Sequence, residues 1–169
     1  MAKKSSKPML VALAFALVIT ILLVAPVVVR PLPRLIWNAS KSVPVGLYWV
    51  EFRQPNRSEI AVLKPPEWVQ LFADQRNYLP SSAWLMKPVL VTGDAIVCRF
   101  GPLIFIDGRL QAKALLQDTM HRPMPVWKGC RKLGDTQVFL LSSHHGSFDS
   151  RYFGPVDRAL IIGTATRLF

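Results

Sequence analysis

The sequence predicts a mainly β domain, an antiparallel sheet or barrel-like structure, carried behind one N-terminal transmembrane helix and containing one short helix of its own. Three observations predict it. Residues 9–29 form one uncharged apolar run, and no other stretch of the chain is apolar for that length. Behind it the pattern changes to period two or short β-rich runs. Turn residues, among them 14 prolines and 9 glycines in 169 residues, punctuate those runs.

The leading segment 1–8, MAKKSSKP, is a basic polar tail. The run 9–29 would reach roughly 31 Å as a helix, which matches the hydrocarbon thickness of a bilayer. A cleaved export signal would have an apolar region of about 7–15 residues and a small-x-small site. Here the run ends in Ala25-Pro26-Val27-Val28-Val29-Arg30-Pro31, which offers no such site, so an uncleaved anchor is expected. Charge does not orient it, because Lys3, Lys4 and Lys7 on one side nearly balance Arg30, Arg34 and Lys41 on the other. The mean hydropathy of +0.28 is the property of this one helix. Without it the remainder falls to roughly −0.1 per residue, an ordinary soluble value. Residues 30–169 are then one domain of about the modal size.

Strands are expected at 46–52, 59–63, 84–91, 95–99, 103–106, 137–141 and 159–167. Asp107-Gly108 marks a two-residue hairpin between IFI and RLQAKAL. The one helix of the domain starts at Pro65-Pro66, carries Trp68, Leu71, Phe72 and Gln75 at helical spacing, and stops before Asn77 and Pro80. Cys98 and Cys130 would most simply form a disulfide in a domain outside the cytoplasm, closing a loop of about 33 residues. Two free buried thiols are the alternative.

Composition excludes intrinsic disorder, since 51% hydrophobic and 10% aromatic residues suffice for a core. With one long apolar run it also excludes a polytopic membrane protein. The net charge of +11, from 21 Lys+Arg against 10 Asp+Glu, suits nucleic acid or an anionic lipid surface. The basic residues are scattered from Lys3 to Arg167 with no basic helix or recognition motif, so no nucleic acid partner is expected and membrane lipids are.

Three places could carry chemistry. The segment 37–48, WNASKSVPVGLY, reads as a tight turn in which a serine is either part of a linker or a nucleophile, the second only with a base in reach. Lys87 stands among large apolar residues before Pro88, which extends its backbone. It is either a snorkelling surface lysine or a desolvated amine able to act as general base at neutral pH. The stretch 141–154, LSSHHGSFDSRYFG, is a polar loop after an apolar strand. His144, His145 and Asp149 make a poor metal signature, and no metal or other cofactor is expected. Asp149 and Arg151 as an ion pair, with Ser147 turned inward, is the competing reading.

The order of these pieces resembles a family. Ser42, then Lys87 in KPVLVTGD, then SFDSRYFGPVDRALIIGTATRLF is similar to the bacterial type I signal peptidases, membrane-anchored Ser/Lys serine proteases. NASKSVPVGLY and FADQRNYLPSSAWLMKPV resemble the TraF-type branch that serves conjugative transfer. The resemblance implies that Ser42 is the nucleophile and Lys87 the general base. Ser147 would hold the lysine amine, and Asp149 would support the loop through Arg151. Ser40 would join the Ser42 backbone N–H as oxyanion donor, with Ser40 also the alternative nucleophile. Two departures stand out. Pro44 follows Ser42 by two residues, where ordinary signal peptidases have proline three after the nucleophile, and Ser143-His144-His145 replaces the usual Gly-Asp-Asn.

The same resemblance implies a catalytic domain, 30–169, in the periplasm of a bacterial inner-membrane protein, with 1–8 cytoplasmic and 9–29 spanning. Its partners would be inner-membrane lipids and a precursor substrate, in this branch a pilin of a conjugative or type IV secretion system. Such a substrate would bind as an extended strand and be selected by shallow pockets for small residues such as Ala. A general signal peptidase with many clients and a non-catalytic scaffold of the secretion apparatus are the alternatives. Trp37, Trp49, Trp84 and Trp127 either rest on the lipid interface or pack in the core.

Overall fold

The computed structural model describes residues 7–29 and 32–169. The chain divides into two compact units, Met1–Pro33 and Arg34–Phe169.

The first unit contains α1, Lys7–Val29, 23 residues long. Thr20 returns its hydroxyl to the Ala16 carbonyl at 2.8 Å, which satisfies the one polar side chain of the helix core. Of the basic tail assigned to 1–8, residues 1–6 lie outside the described residues. The part of α1 whose side chains are described, 9–24, is by itself shorter than the about 20 residues of a span. Among the described residues, no helix is long and apolar enough to cross a membrane.

The second unit is mainly β, and every strand pair in it is antiparallel. In chain order its elements are β1 (Leu35–Asn38), β2 (Gly46–Glu51), β3 (Ile60–Leu63), α2 (Glu67–Gln75), β4 (Leu85–Thr92), β5 (Ile96–Phe100), β6 (Leu103–Ile106), β7 (Arg109–Lys113), β8 (Gly129–Lys132), β9 (Gln137–Leu140), α3 (Ser150–Phe153), β10 (Val156–Asp157) and β11 (Ile161–Arg167), the last preceded by one 3-10 turn. Seven strands form one sheet in the order β1-β2-β11-β3-β4-β9-β10, and four form a second in the order β7-β6-β5-β8.

Period two explains β2. In β2, Tyr48 and Val50 point into the core while Trp49 and Glu51 point out. β4 departs from it, with Leu85, Met86 and Lys87 all buried, because core lies on both of its faces. One face packs Leu85 and Val89 with Ala61, Leu63 and Leu140. The other packs Met86 with Val43, Tyr48, Val50 and Val62. A third cluster joins the two sheets, Val91 and Phe139 of the larger meeting Val97, Ile104 and Ile106 of the smaller. The smaller sheet is stapled as expected: Cys98 on β5 lies opposite Cys130 on β8, and the two are disulfide-bonded.

Four elements were not expected: β1, β8, β10 and α3. The tryptophans divide between the two readings. Trp37 and Trp49 are 61% and 40% exposed, whereas Trp127 is buried and donates from Nε1 to the Ser150 carbonyl at 3.1 Å. Trp84 is half-buried against the cluster around Val43. An interfacial role for Trp127 is therefore incorrect, since its ring packs edge-on to Phe139 inside the core.

Candidate active site

The turn between β1 and β2 is built on a buried asparagine. Asn38 Nδ2 faces the carbonyls of Ser40, Val43 and Pro44 at 2.8, 3.0 and 3.0 Å. Its Oδ1 accepts from the backbone N–H and the hydroxyl of Ser40 at 3.1 and 2.8 Å. Tyr48 adds a hydrogen bond from its hydroxyl to the Pro44 carbonyl at 2.7 Å. Where β2 begins, Gly46 has φ +152° and a Cβ there would lie 2.1 Å from the Phe169 carbonyl oxygen, so glycine is required. A short loop held at this many points fixes Ser42 without help from regular structure.

Lys87 comes from β4, opposite Ala61 on β3, and is 3% exposed. Its Nζ is 2.5 Å from Ser42 Oγ and 2.8 Å from Ser147 Oγ, and the two hydroxyl oxygens are 3.0 Å apart. Among the described residues, no carboxylate joins this triangle. Burial pushes the Lys87 amine down from its ordinary value to about 8; the Asp149 carboxylate pulls it part of the way back, and the Arg151 guanidinium opposes that. A buried amine without a contacting counter-charge spends part of its time neutral near pH 7, which a solvated lysine does not.

The third piece is the segment between β9 and α3. Asp149 caps α3, accepting from the Arg151 N–H at 3.1 Å. The two side chains pair at 2.9 and 2.8 Å with both residues buried. Arg151 also donates to the carbonyls of Ser142, His144 and His145, at 2.5, 3.1 and 3.2 Å. Asp149 Oδ2 accepts from the Ser142 N–H at 3.1 Å. One ion pair thus gathers the loop 142–147 around itself, satisfying its lone pairs and donors as a buried pair requires. Ser142 then links loop to turn, its hydroxyl donating to the Ser42 carbonyl at 2.6 Å.

Ser42, Lys87 and Ser147 meet, and Asp149 and Arg151 stand behind them. Ser40 lines the same cleft, but its hydroxyl proton is directed at Asn38 Oδ1. The imidazoles of His144 and His145 stack on each other at 5.2 Å between centroids, while the Asp149 oxygens are engaged by Arg151 and Ser142. Among the described residues, no group of three His, Cys, Asp or Glu side chains is placed to hold a metal ion. Asn38, Tyr48 and Ser142 were missed. An asparagine leading into a turn is a recognisable signal for backbone bridging; Ser142, 100 residues from its partner, leaves no local one.

The three side chains open on a cleft of about 420 Å³, walled by α2, by residues 78–85 and by the connection from β7 to β8. A hydroxyl held between a desolvated amine and a second hydroxyl, at the edge of an apolar cleft, can serve nucleophilic acyl transfer. Comparison with known proteins agrees. The model of the family described as "Signal peptidase, peptidase S26" matches residues 6–169. The chain belongs to that family.

Within it the relatives are of the TraF type. The chain is 34% identical over 137 residues to the plasmid transfer protein TraF of Escherichia coli, covering 74% of this chain and 77% of that one. It is 34% identical over 139 residues to the probable conjugal transfer protein TraF of Sinorhizobium fredii (strain NBRC 101917 / NGR234), covering 76% and 73%. A signal peptidase I of Enterococcus faecalis V583 aligns over 69% of this chain and all of its own, at 17% identity and a TM-score of 0.41, a likeness too low to carry an argument.

Proposed function

We propose that this peptidase is a membrane-anchored serine endopeptidase that matures an exported precursor in conjugative transfer, a pilin, by a Ser42–Lys87 acyl-enzyme mechanism. The observation that carries the reading is the buried Lys87 amine, lowered to about 8 and in contact with both Ser42 and Ser147. The neutral amine takes the Ser42 proton while keeping an N–H on Ser147 Oγ. Ser42 Oγ bonds to the scissile carbonyl carbon, and the oxyanion is received by the Ser42 N–H and by Ser40, whose hydroxyl turns from Asn38 to meet it. When the C–N bond breaks, Lys87 returns the proton to the leaving amine. Water then resolves the ester, or a substrate amine does and gives a cyclic or transpeptidated product. Ser147, Asp149 and Arg151 hold the amine and its loop in place. No cofactor takes part.

In this proposal 9–29 spans the bacterial inner membrane once, 1–8 is cytoplasmic and 30–169 is periplasmic. The uncharged run supports the span, and the Cys98–Cys130 disulfide supports an oxidising compartment. Inner-membrane lipids and the precursor are its partners, and nucleic acid is not. Processing of a pilin precursor by Ser42→Ala and Lys87→Ala variants tests the mechanism. Loss in both is expected, and undiminished processing in both refutes it in favour of a scaffold. Equal cleavage of unrelated exported precursors would replace pilin maturation with general signal peptidase activity. Intact-mass measurement of the product separates hydrolysis from cyclisation.

A further inference from the structure

The larger sheet carries Lys87 and the turn that bears Ser42, and the smaller sheet carries neither. The smaller sheet nevertheless holds the short helix behind them. Three successive residues of α3 are each bonded to β5 or to the connection from β7 to β8. Trp127 Nε1 donates to the Ser150 carbonyl at 3.1 Å, Arg99 Nη1 donates to the Arg151 carbonyl, and the Leu115 N–H donates to Tyr152 Oη at 3.0 Å. A helix of four residues has too few bonds of its own to fix its place, so these outside bonds decide where it sits.

Arg99 is the unusual member of this set. It stands on β5 beside Cys98, is 1% exposed, and among the described residues pairs with no carboxylate. Its Nε donates to the Gly101 carbonyl at 2.9 Å and its Nη1 also to the Pro125 carbonyl at 3.2 Å, while Nη2 has no partner among the described residues. A guanidinium buried against carbonyls alone costs stability that an apolar side chain of its length would not. What it supplies is a rigid fork spanning three segments: the turn after β5, the connection 114–128 and α3.

From α3 the restraint passes to the reacting groups. The Arg151 side chain donates to the carbonyls of Ser142, His144 and His145, and the Ser147 N–H donates to the His144 carbonyl at 3.0 Å. Ser147 Oγ in turn lies 2.8 Å from Lys87 Nζ. Asp149 and Arg151, at the start of α3, are also the two charges that act on that amine. A displaced α3 therefore moves both the hydroxyl that holds Lys87 and the charges around it.

We propose that Arg99 is a positioning residue of the reaction: by fixing α3 from the smaller sheet, it sets where the loop 142–147 holds Ser147 against the Lys87 amine. The proposal rests on the reading of Ser42 and Lys87 as the reacting pair.

The test compares Arg99→Met and Trp127→Phe with the unaltered protein, each as the full chain in detergent. Arg99→Met removes the fork and keeps a buried chain, whereas Trp127→Phe removes one bond to α3 and keeps a ring beside Phe139. Two readouts are taken well below the unfolding midpoint: steady-state kinetics on a precursor peptide, and titration of the Lys87 Cε chemical shift. In Arg99→Met, kcat is expected to fall about tenfold to a hundredfold with KM little changed, the signature of misplaced reacting groups. The Lys87 midpoint is expected to move up from about 8, because a loosened loop lets water reach the amine. Trp127→Phe is expected to move both readouts the same way and less, and it carries the test by itself if Arg99→Met does not fold. A Lys87 midpoint unmoved in the folded variants overturns the proposal, as does a loss confined to KM or one that merely matches the unfolded fraction. A raised midpoint in a protein whose unaltered form cleaves no precursor would retire the Ser/Lys reading and keep the positioning role. Cleavage that requires Ser42 and Lys87, with the midpoint unmoved, would do the reverse.

Discussion

The titration of Lys87 gives the sharpest check on the site. With the amine at about 8, against an ordinary 10.5, roughly a tenth of the molecules carry a neutral Lys87 at pH 7, compared with about one in 3,000 for a solvated lysine. The environment thus raises the supply of free base by a factor on the order of 300. kcat/KM on a precursor peptide is expected to climb about tenfold per pH unit below 8 and to level off above it. Stability follows the same group. Between about pH 8 and 10.5 the unfolded chain holds a proton on this lysine that the folded chain has lost, so stability rises with pH across that window. Below pH 8 both states hold it, and the folded state carries a penalty on the order of 3 kcal/mol for the buried ammonium. Lys87→Met should therefore abolish activity yet raise the midpoint of chemical denaturation at pH 7. Two measurements suffice, the pH–rate profile and a titration of the Lys87 Cε chemical shift. An acid limb centred near 10.5, or a rate that falls as pH rises from 6 to 8, would refute the argument from burial.

Other perturbations separate positioning from stability. Ser142→Ala removes the bond to the Ser42 carbonyl and should lower kcat by about tenfold to a hundredfold, the scale of a slight misplacement, while the acid limb of the pH profile stays put. Arg151→Met leaves Asp149 buried without its partner and should lower stability by about 3–5 kcal/mol, with part of the loss recovered when Asp149→Asn is added. Replacing Cys98 and Cys130 together by serine should reduce the free energy of unfolding by about 3–4 kcal/mol, read from denaturant titration. Gly46→Ala drives a methyl group into the Phe169 carbonyl and should destabilise by at least about 2 kcal/mol in the same assay.

What was legible in the sequence depended on range. Alternating runs such as GLYWVE carry their own periodicity and were placed within a residue or two. β8, GCRK, has three exposed residues of four and shows no pattern; it is a strand because Cys98 and its neighbours pair with it. α3 is one turn, too short for any period, and exists through its Asp149 cap and the hydrogen bonds of Ser150. β1 and β10 are brief pieces that extend existing edges. The candidate residues Ser42, Lys87, Ser147, Asp149 and Arg151 stood out through the order of their motifs and the resemblance it carries, and the structure brings Ser42, Lys87 and Ser147 into contact with the Asp149–Arg151 pair behind them. The link from Ser142 and the fate of Trp127 did not stand out, since each is decided by a partner distant in sequence. The cleft was not legible for the same reason: α2 and the β7–β8 connection become walls of it only in three dimensions.

The larger sheet brings Ser42 and Lys87 together through a strand distant from both in sequence. β2, which leads away from the Ser42 turn, pairs with β1 and β11, and β3 pairs with β11 and β4, the strand of Lys87. Among the described strands, β11 is thus the one that pairs both with the strand leaving the Ser42 turn and with the neighbour of the Lys87 strand. The pairs β1–β2 and β3–β4 join strands close in sequence, whereas residues 161–167 lie between them in the sheet. The separation of Ser42 and Lys87 thus depends on a segment that contributes no side chain to the cleft.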